Sequence, residues 1–185
     1  MKLSYEVIVK DRHGKVIQHL KSKSKSWLKQ WNQMIYGGMA GSAQMVTDIT
    51  GTDRSQSITY DLLWIGETAG DDTIGVVVGS VATAVTMDDY KLDTQIAHGV
   101  GAGQLDHLAN DVIHPPSING PTCYFLLTRV FINSSGGLVV VREIGIYARI
   151  SSAGNACIAR DALTGVVNVP NGGSVTVIYS VKAVA

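Results

Sequence analysis

The last third of the chain most constrains its fold. Two β segments carry Val141-Arg142-Glu143-Ile144-Gly145-Ile146-Tyr147-Ala148-Arg149 and Ala156-Cys157-Ile158-Ala159-Arg160-Asp161, with a turn at Ser151-Ser152-Ala153-Gly154-Asn155 between them. A Pro170-Asn171-Gly172-Gly173-Ser174 turn follows. Val175, Val177, Tyr179, Val181 and Ala183 then alternate with Thr176, Ile178, Ser180 and Lys182, the period of a strand with one buried face. This pattern builds a sheet and carries no evident machinery for chemistry.

Upstream, the same alternation at Leu3, Tyr5, Val7 and Val9 predicts a strand. Asp11-Arg12-His13-Gly14 reads as its turn, and residues 15–20 as the return strand of a hairpin. The basic run Lys21-Ser22-Lys23-Ser24-Lys25 reads as solvated. The period then becomes helical at Trp27, Leu28, Trp31, Met34 and Ile35, with Ser26 placed to cap the first turn and Gly37-Gly38 to stop the helix. The stripe reads as core, and a partner-binding stripe is the sharper alternative. Residues 38–57, rich in Gly, Ser, Thr and Asp, read as a long loop or arm.

Residues 58–65 alternate as a strand apolar on both faces, and residues 74–78 form a short apolar strand that residues 81–87 extend after a bend. Asp88-Asp89 has helix-start character. Residues 123–132 and 138–150 are long strands, and the Asn133-Ser134-Ser135-Gly136-Gly137 link predicts a hairpin between them. The whole predicts a mainly β chain: an antiparallel, jelly-roll-like β-sandwich of eight to ten strands, with one N-terminal amphipathic helix and long loops. Residues 1–57 form an N-terminal hairpin, helix and arm packed on or extending from a sandwich body at 58–185.

Composition bounds the function. Charged residues are only 16% of the 185, which suits a protein that buries surface against others. Fifteen basic and fifteen acidic residues balance, so bulk charge gives no reason to seek nucleic acid. The N-terminus lacks a signal-peptide core and no apolar run reaches membrane-spanning length, so a soluble protein made in a cytoplasm is expected. Cys123 and Cys157 lie in apolar strands and read as buried free thiols.

The chemical motifs are weak. Gly99-Val100-Gly101-Ala102-Gly103 is followed by Gln104-Leu105-Asp106-His107, without the lysine of a triphosphate loop. His98, His107 and His114 lie near Asp106 and Asp111, but Gly103 and Pro115 bracket the stretch too tightly for a convincing metal site. Asp71-Asp72 and Asp88-Asp89 match no calcium loop. No Gly-x-Ser-x-Gly elbow occurs. Arg142 and Glu143 interrupt an apolar strand. If buried they need each other or a neighbouring chain, as a bulge-anchored or intersubunit ion pair; the alternative is a pair on a solvated strand face.

Several strings together resemble accessory virion proteins of tailed bacteriophages. They are Thr73-Ile74-Gly75-Val76-Val77-Val78-Gly79, Asp88-Asp89-Tyr90-Lys91-Leu92, Gln95-Ile96-Ala97-His98-Gly99, Arg142-Glu143-Ile144-Gly145-Ile146-Tyr147, Ile158-Ala159-Arg160-Asp161 and the segment 169–177. The Glu-Ile-Gly-Ile-Tyr strand, turn and Ile-Ala strand also resemble a hairpin in particle-attachment domains of tail-fibre and collar proteins. The resemblance spans roughly residues 58–185. It implies a structural protein of the virion without cofactor or catalytic residues, attached to capsid, neck or tail as a homo-oligomer, trimer or higher, with no nucleic-acid or membrane partner. The interface candidates are Trp27, Trp31, Arg142, Glu143 and Tyr147. The rival is a carbohydrate- or receptor-binding module, which needs exposed aromatics. Trp27, Trp31 and Trp64 are all expected to be buried.

Overall fold

The computed structural model describes residues 1–24, 27–56, 63–66, 68–112, 116–151 and 154–184. Within them the chain is mainly β, with every named strand pairing antiparallel and a single α-helix. The first sheet holds β1 (Lys2–Lys10), β2 (Val16–Lys23), β7 (Asp106–Val112), β8 (Ser117–Asn119), β9 (Thr122–Ile132) and β12 (Ser174–Val184). Its order is β2-β1-β12-β9-β7, with β8 also on β9. The second is β11-β10-β5-β6, from β5 (Gly75–Val81), β6 (Thr94–Gln95), β10 (Val139–Ser151) and β11 (Gly154–Val169). A third, two-stranded ribbon pairs β3 (Met45–Thr47) with β4 (Asp53–Ser55).

The N-terminal hairpin is woven into the first sheet. β1 pairs with β12 along its whole length, from Lys2 opposite Lys182 to Lys10 opposite Ser174. The alternation read from sequence explains why: Leu3, Tyr5, Val7 and Val9 point inward and are buried, as are Val175, Val177 and Tyr179 beside them. They share one apolar cluster with Val76 and Val78 of β5, Ile144 and Ile146 of β10, and Ile158 and Val167 of β11. β2 runs on through Lys23, so the start of the basic run is strand rather than a solvated linker.

The second sheet is covered on both sides. Its other face carries Val77, Tyr147 and Cys157, which form a separate cluster with Leu28 and Leu92. That accounts for the run of apolar residues in β10 without alternation.

The expected hairpin between β9 and β10 is absent. The two strands lie in different sheets, and residues 133–138 cross from one to the other. The 170–173 turn makes the return crossing from β11 to β12. The two crossings are stitched together: the Asn133 amide N–H donates to the Gly173 carbonyl at 2.9 Å, and the Gly172 N–H to the Asn133 carbonyl at 2.7 Å. The buried Asn133 side chain donates to the Gly137 and Val169 carbonyls at 2.8 and 2.7 Å. A five-residue glycine link serves a corner as well as a hairpin. The choice falls to the corner because β9 already has β12 on one edge and β7 with β8 on the other.

Further expectations change. The helix α1 spans Lys29–Ala40 and runs through Gly37 and Gly38, ending at Gly41, whose φ of 60° is the left-handed cap. A β-carbon on Gly37 would stand 2.6 Å from Gln56 Oε1, and Gln56 Nε2 donates to the Met34 carbonyl, so close approach explains this glycine. The expected cap, Ser26, lies outside the described residues. The flanking residue is Leu28, which makes no side-chain cap.

The arm expected at 38–57 is instead folded into the β3–β4 ribbon. Asp48, nearly fully buried, accepts from the Thr50 N–H at 2.8 Å, the Thr50 hydroxyl at 2.6 Å and the Thr52 N–H at 3.0 Å, and pairs with Arg54. Most of the 58–65 strand lies outside the described residues. Leu63 has a φ of 61°, and Trp64, expected in the core, is 50% exposed. Residues 82–93 contain turns in place of the strand extension and helix start. No helix among the described residues is long and apolar enough to cross a membrane.

Candidate functional site

The covered face of the second sheet holds a dense polar cluster. Arg160 on β11 is 1% exposed. Its Nε donates to Glu143 Oε2 at 2.9 Å, Nη1 to Asp89 Oδ2 at 2.6 Å, and Nη2 to Asp93 Oδ2 at 2.8 Å and Thr83 Oγ1 at 3.3 Å. Glu143 is fully buried at a bulge of β10, and its other oxygen accepts from the Thr94 N–H at 3.1 Å. The Tyr147 hydroxyl accepts from the Leu92 N–H at 2.9 Å. The two sheet strands thus hold residues 82–94 down as a roof at five points. Gly145 lies beneath it because a β-carbon there would meet Leu92 at 2.9 Å and the Ala159 carbonyl at 3.0 Å.

The surplus of carboxylates over cations is offset by amides and hydroxyls. Asp93 accepts from the Thr83 N–H at 2.7 Å, and Asp89 from the Thr86 N–H and hydroxyl at 2.9 and 2.8 Å. The Thr83 hydrogen bonds, with Arg160 beside them, hold the Asp93 carboxyl below its usual range. Burial pulls the Arg160 proton affinity down, but Asp89 and Glu143 raise it more, so the guanidinium stays charged. Burial also pushes the Tyr147 phenol and the Cys157 thiol far above their usual ranges, which leaves both neutral and unreactive.

A second buried arginine works in the same way. Arg129 on β9 donates to the carbonyls of Leu108 at 2.7 Å, Ile74 at 3.1 Å and Val76 at 3.0 Å, and to that of Asp71. Residues 71–76 are thereby fastened to the first sheet. Beside it, His107 is fully buried, edge-on to Phe131 with ring centroids 4.9 Å apart. Neither of its ring nitrogens makes a well-formed hydrogen bond. Burial first, then the Arg129 charge, lowers its pKa from 6.5 to about 4, so the ring is neutral.

The predicted residues are therefore only partly brought together. Glu143 is buried as required, but its partner is Arg160. Arg142 is turned outward by the bulge and is exposed. Tyr147 and Glu143 are enclosed within the chain, so the exposed surface of the predicted interface set belongs to Arg142 and, in part, to Trp27 and Trp31. The two indoles stack at 4.1 Å and pack on the core.

His98 Nδ1 stands 3.5 Å from Asp106 and accepts from the His107 backbone N–H at 3.1 Å, while His114 lies outside the described residues. No group of three or more His, Cys, Asp and Glu is placed to hold a metal ion among the described residues. Gly99 and Gly101 form a tight loop, the Gly101 N–H donating to Gln104 Oε1 at 2.9 Å. Cys157 is buried and free, whereas Cys123, expected to be buried, is exposed.

The sequence reading missed Arg160 and Arg129. Each is the lone cation of a strand otherwise rich in apolar residues, and that is the signal that could have found them. No family model matches the chain, and no curated protein or solved structure matches it either.

Proposed function

We propose that the chain is a bacteriophage virion structural protein that binds or reinforces the particle through subunit contacts, as a capsid decoration, neck or collar, or tail-attachment subunit. The observation that carries this reading is the use made of the buried charges. Arg160 ties residues 83–93 to β10 and β11 through four polar contacts, and Arg129 ties β9 to β7, β5 and the residues before β5 through four more. Such bonds to charged groups each contribute roughly 1.5–3 kcal/mol when well formed. They make a stiff two-layer sandwich whose loops keep their shape, which suits repeated contact with neighbours better than turnover of a substrate.

On this reading the protein has no cofactor. It is made in the host cytoplasm and resides in the virion as a homo-oligomer, trimer or higher, against capsid, neck or tail proteins. The resemblance of residues 58–185 to accessory virion proteins supports it. Sedimentation of tagged chain with purified particles tests it: the chain should pellet with the particles and saturate. A chain that stays in the supernatant and runs as a strict monomer opposes it. A receptor- or carbohydrate-binding module is the second reading, favoured by the exposure of Trp64 at 50% and Tyr36 at 61%. Loss of glycan binding on Trp64→Ala would favour that reading over the first.

A further inference from the structure

We propose that the outer face of the first sheet, at the end where β1 begins and β12 finishes, is a binding site for an acidic saccharide. The reading does not depend on a place in the virion. Two concavities meet there. One, of about 460 Å³, is lined by Lys2, Ser4, Lys23, Trp27 and Lys182 among others. The other, of about 400 Å³, is lined by Asn119, Thr122, Tyr124, Ser180 and again Lys182.

The register explains how three ammonium groups come together. Lys2 lies directly opposite Lys182, and Lys23 lies opposite Ser4, so all three share the outer face. Like charges directly opposite on a ladder are destabilising. Four residues beyond Lys2 along β1 the same face solves this problem: Glu6 pairs with both Lys21 and His19. No such carboxylate pairs with Lys2, Lys23 or Lys182 among the described residues. The site is therefore an uncompensated positive corner, and an anion bound there removes the repulsion.

The kind of anion follows from the rest of the lining. Hydroxyls of Ser4, Ser180 and Thr122 and the amide of Asn119 offer short donors and acceptors, and Tyr124 offers an apolar ring. Hydroxyl-rich rings bearing carboxylates match that mixture. An acidic peptide would add its own backbone pairing at a sheet edge. Here the central lysine, Lys182, is already paired on both sides, with Lys2 of β1 and Tyr124 of β9.

Titration of the full chain with a galacturonate hexamer, followed calorimetrically at low salt, tests the site. Its fully methyl-esterified neutral form, hexaglutamate and a thymidylate oligonucleotide are the comparisons. The acidic hexamer should bind about tenfold more tightly than any of the three. Lys2→Ser combined with Lys182→Ser should weaken that binding about tenfold and leave thermal stability unchanged or raised. Lys21→Ser, whose ammonium is already paired with Glu6, should change binding less than about twofold. Equal binding of the ester, tighter binding of hexaglutamate or oligonucleotide, no detectable binding, or an equal effect of Lys21→Ser would each overturn the proposal.

Discussion

Replacing His107 with Phe should stabilise the protein, and more so as the solution is acidified. The ring is fully buried, packs edge-on to Phe131 and makes no well-formed ring hydrogen bond, so a phenyl ring fits its surroundings. The groups that set its charge are the burial itself, Arg129 and His98, which disfavour the proton, and Asp72 and the Ile96 backbone, which favour it. A fall in pKa from 6.5 to about 4 corresponds to about 3 kcal/mol at 1.36 kcal/mol per pH unit.

The sign follows from linkage. The unfolded chain takes up a proton below pH 6.5 that the folded chain refuses until about pH 4. The wild-type protein is therefore undisturbed by this group above pH 6.5, loses stability across that window, and has lost the full amount below it. His107→Phe lacks this loss. Urea unfolding followed by tryptophan fluorescence at half-unit steps from pH 8 to pH 4 measures it. The stability difference between variant and wild type should be constant above about pH 7 and grow by about 3 kcal/mol toward pH 4. Other groups titrate alike in both proteins and cancel. Parallel profiles, or a His107 proton chemical shift that titrates near 6.5 in the folded state, would refute the reasoning.

Four further outcomes are expected. Arg160→Met should cost about 3–5 kcal/mol in chemical unfolding because it leaves Glu143 buried without its cation, and adding Glu143→Leu should restore part of that loss. Tyr147→Phe should cost about 1 kcal/mol and speed amide exchange within residues 82–94, since it removes the acceptor for the Leu92 N–H. Asp48→Asn should lower stability at neutral pH by about 2 kcal/mol, because Thr50, Arg54 and Thr52 hold that carboxylate at about 2 against its burial. In the wild type this contribution is full above pH 3.8 and disappears as pH falls toward 2, where the variant's deficit should vanish. Cys123 should react with a thiol reagent in the native protein, and Cys157 only after denaturation, as counted by intact mass.

What could be read from the sequence was whatever depends on local period. The alternation in β1 and β12 and the turns at 11–14 and 170–173 stand where they were expected. What could not be read was pairing. Residues 133–137 look the same whether they close a hairpin or turn a corner between sheets, and only the occupancy of both edges of β9 decides. The glycines at 37 and 38 carry a stop signal that tertiary contact overrides at Gly37, where Gln56 needs the space. The buried ion cluster was half visible. The apolar run of β10 implied a partner for Glu143, but adjacency suggested Arg142, and the bulge that turns Arg142 outward leaves no mark in composition. Arg160 becomes the partner through strand register, seventeen positions away.

On the proposed function this molecule acts by occupying a fixed place among other subunits. Electron cryomicroscopy of particles made with and without the gene tests that most directly. Density for the two-sheet body is expected at symmetry-related positions on capsid, neck or tail, and absent from particles lacking the gene. Identical maps from the two preparations would contradict it.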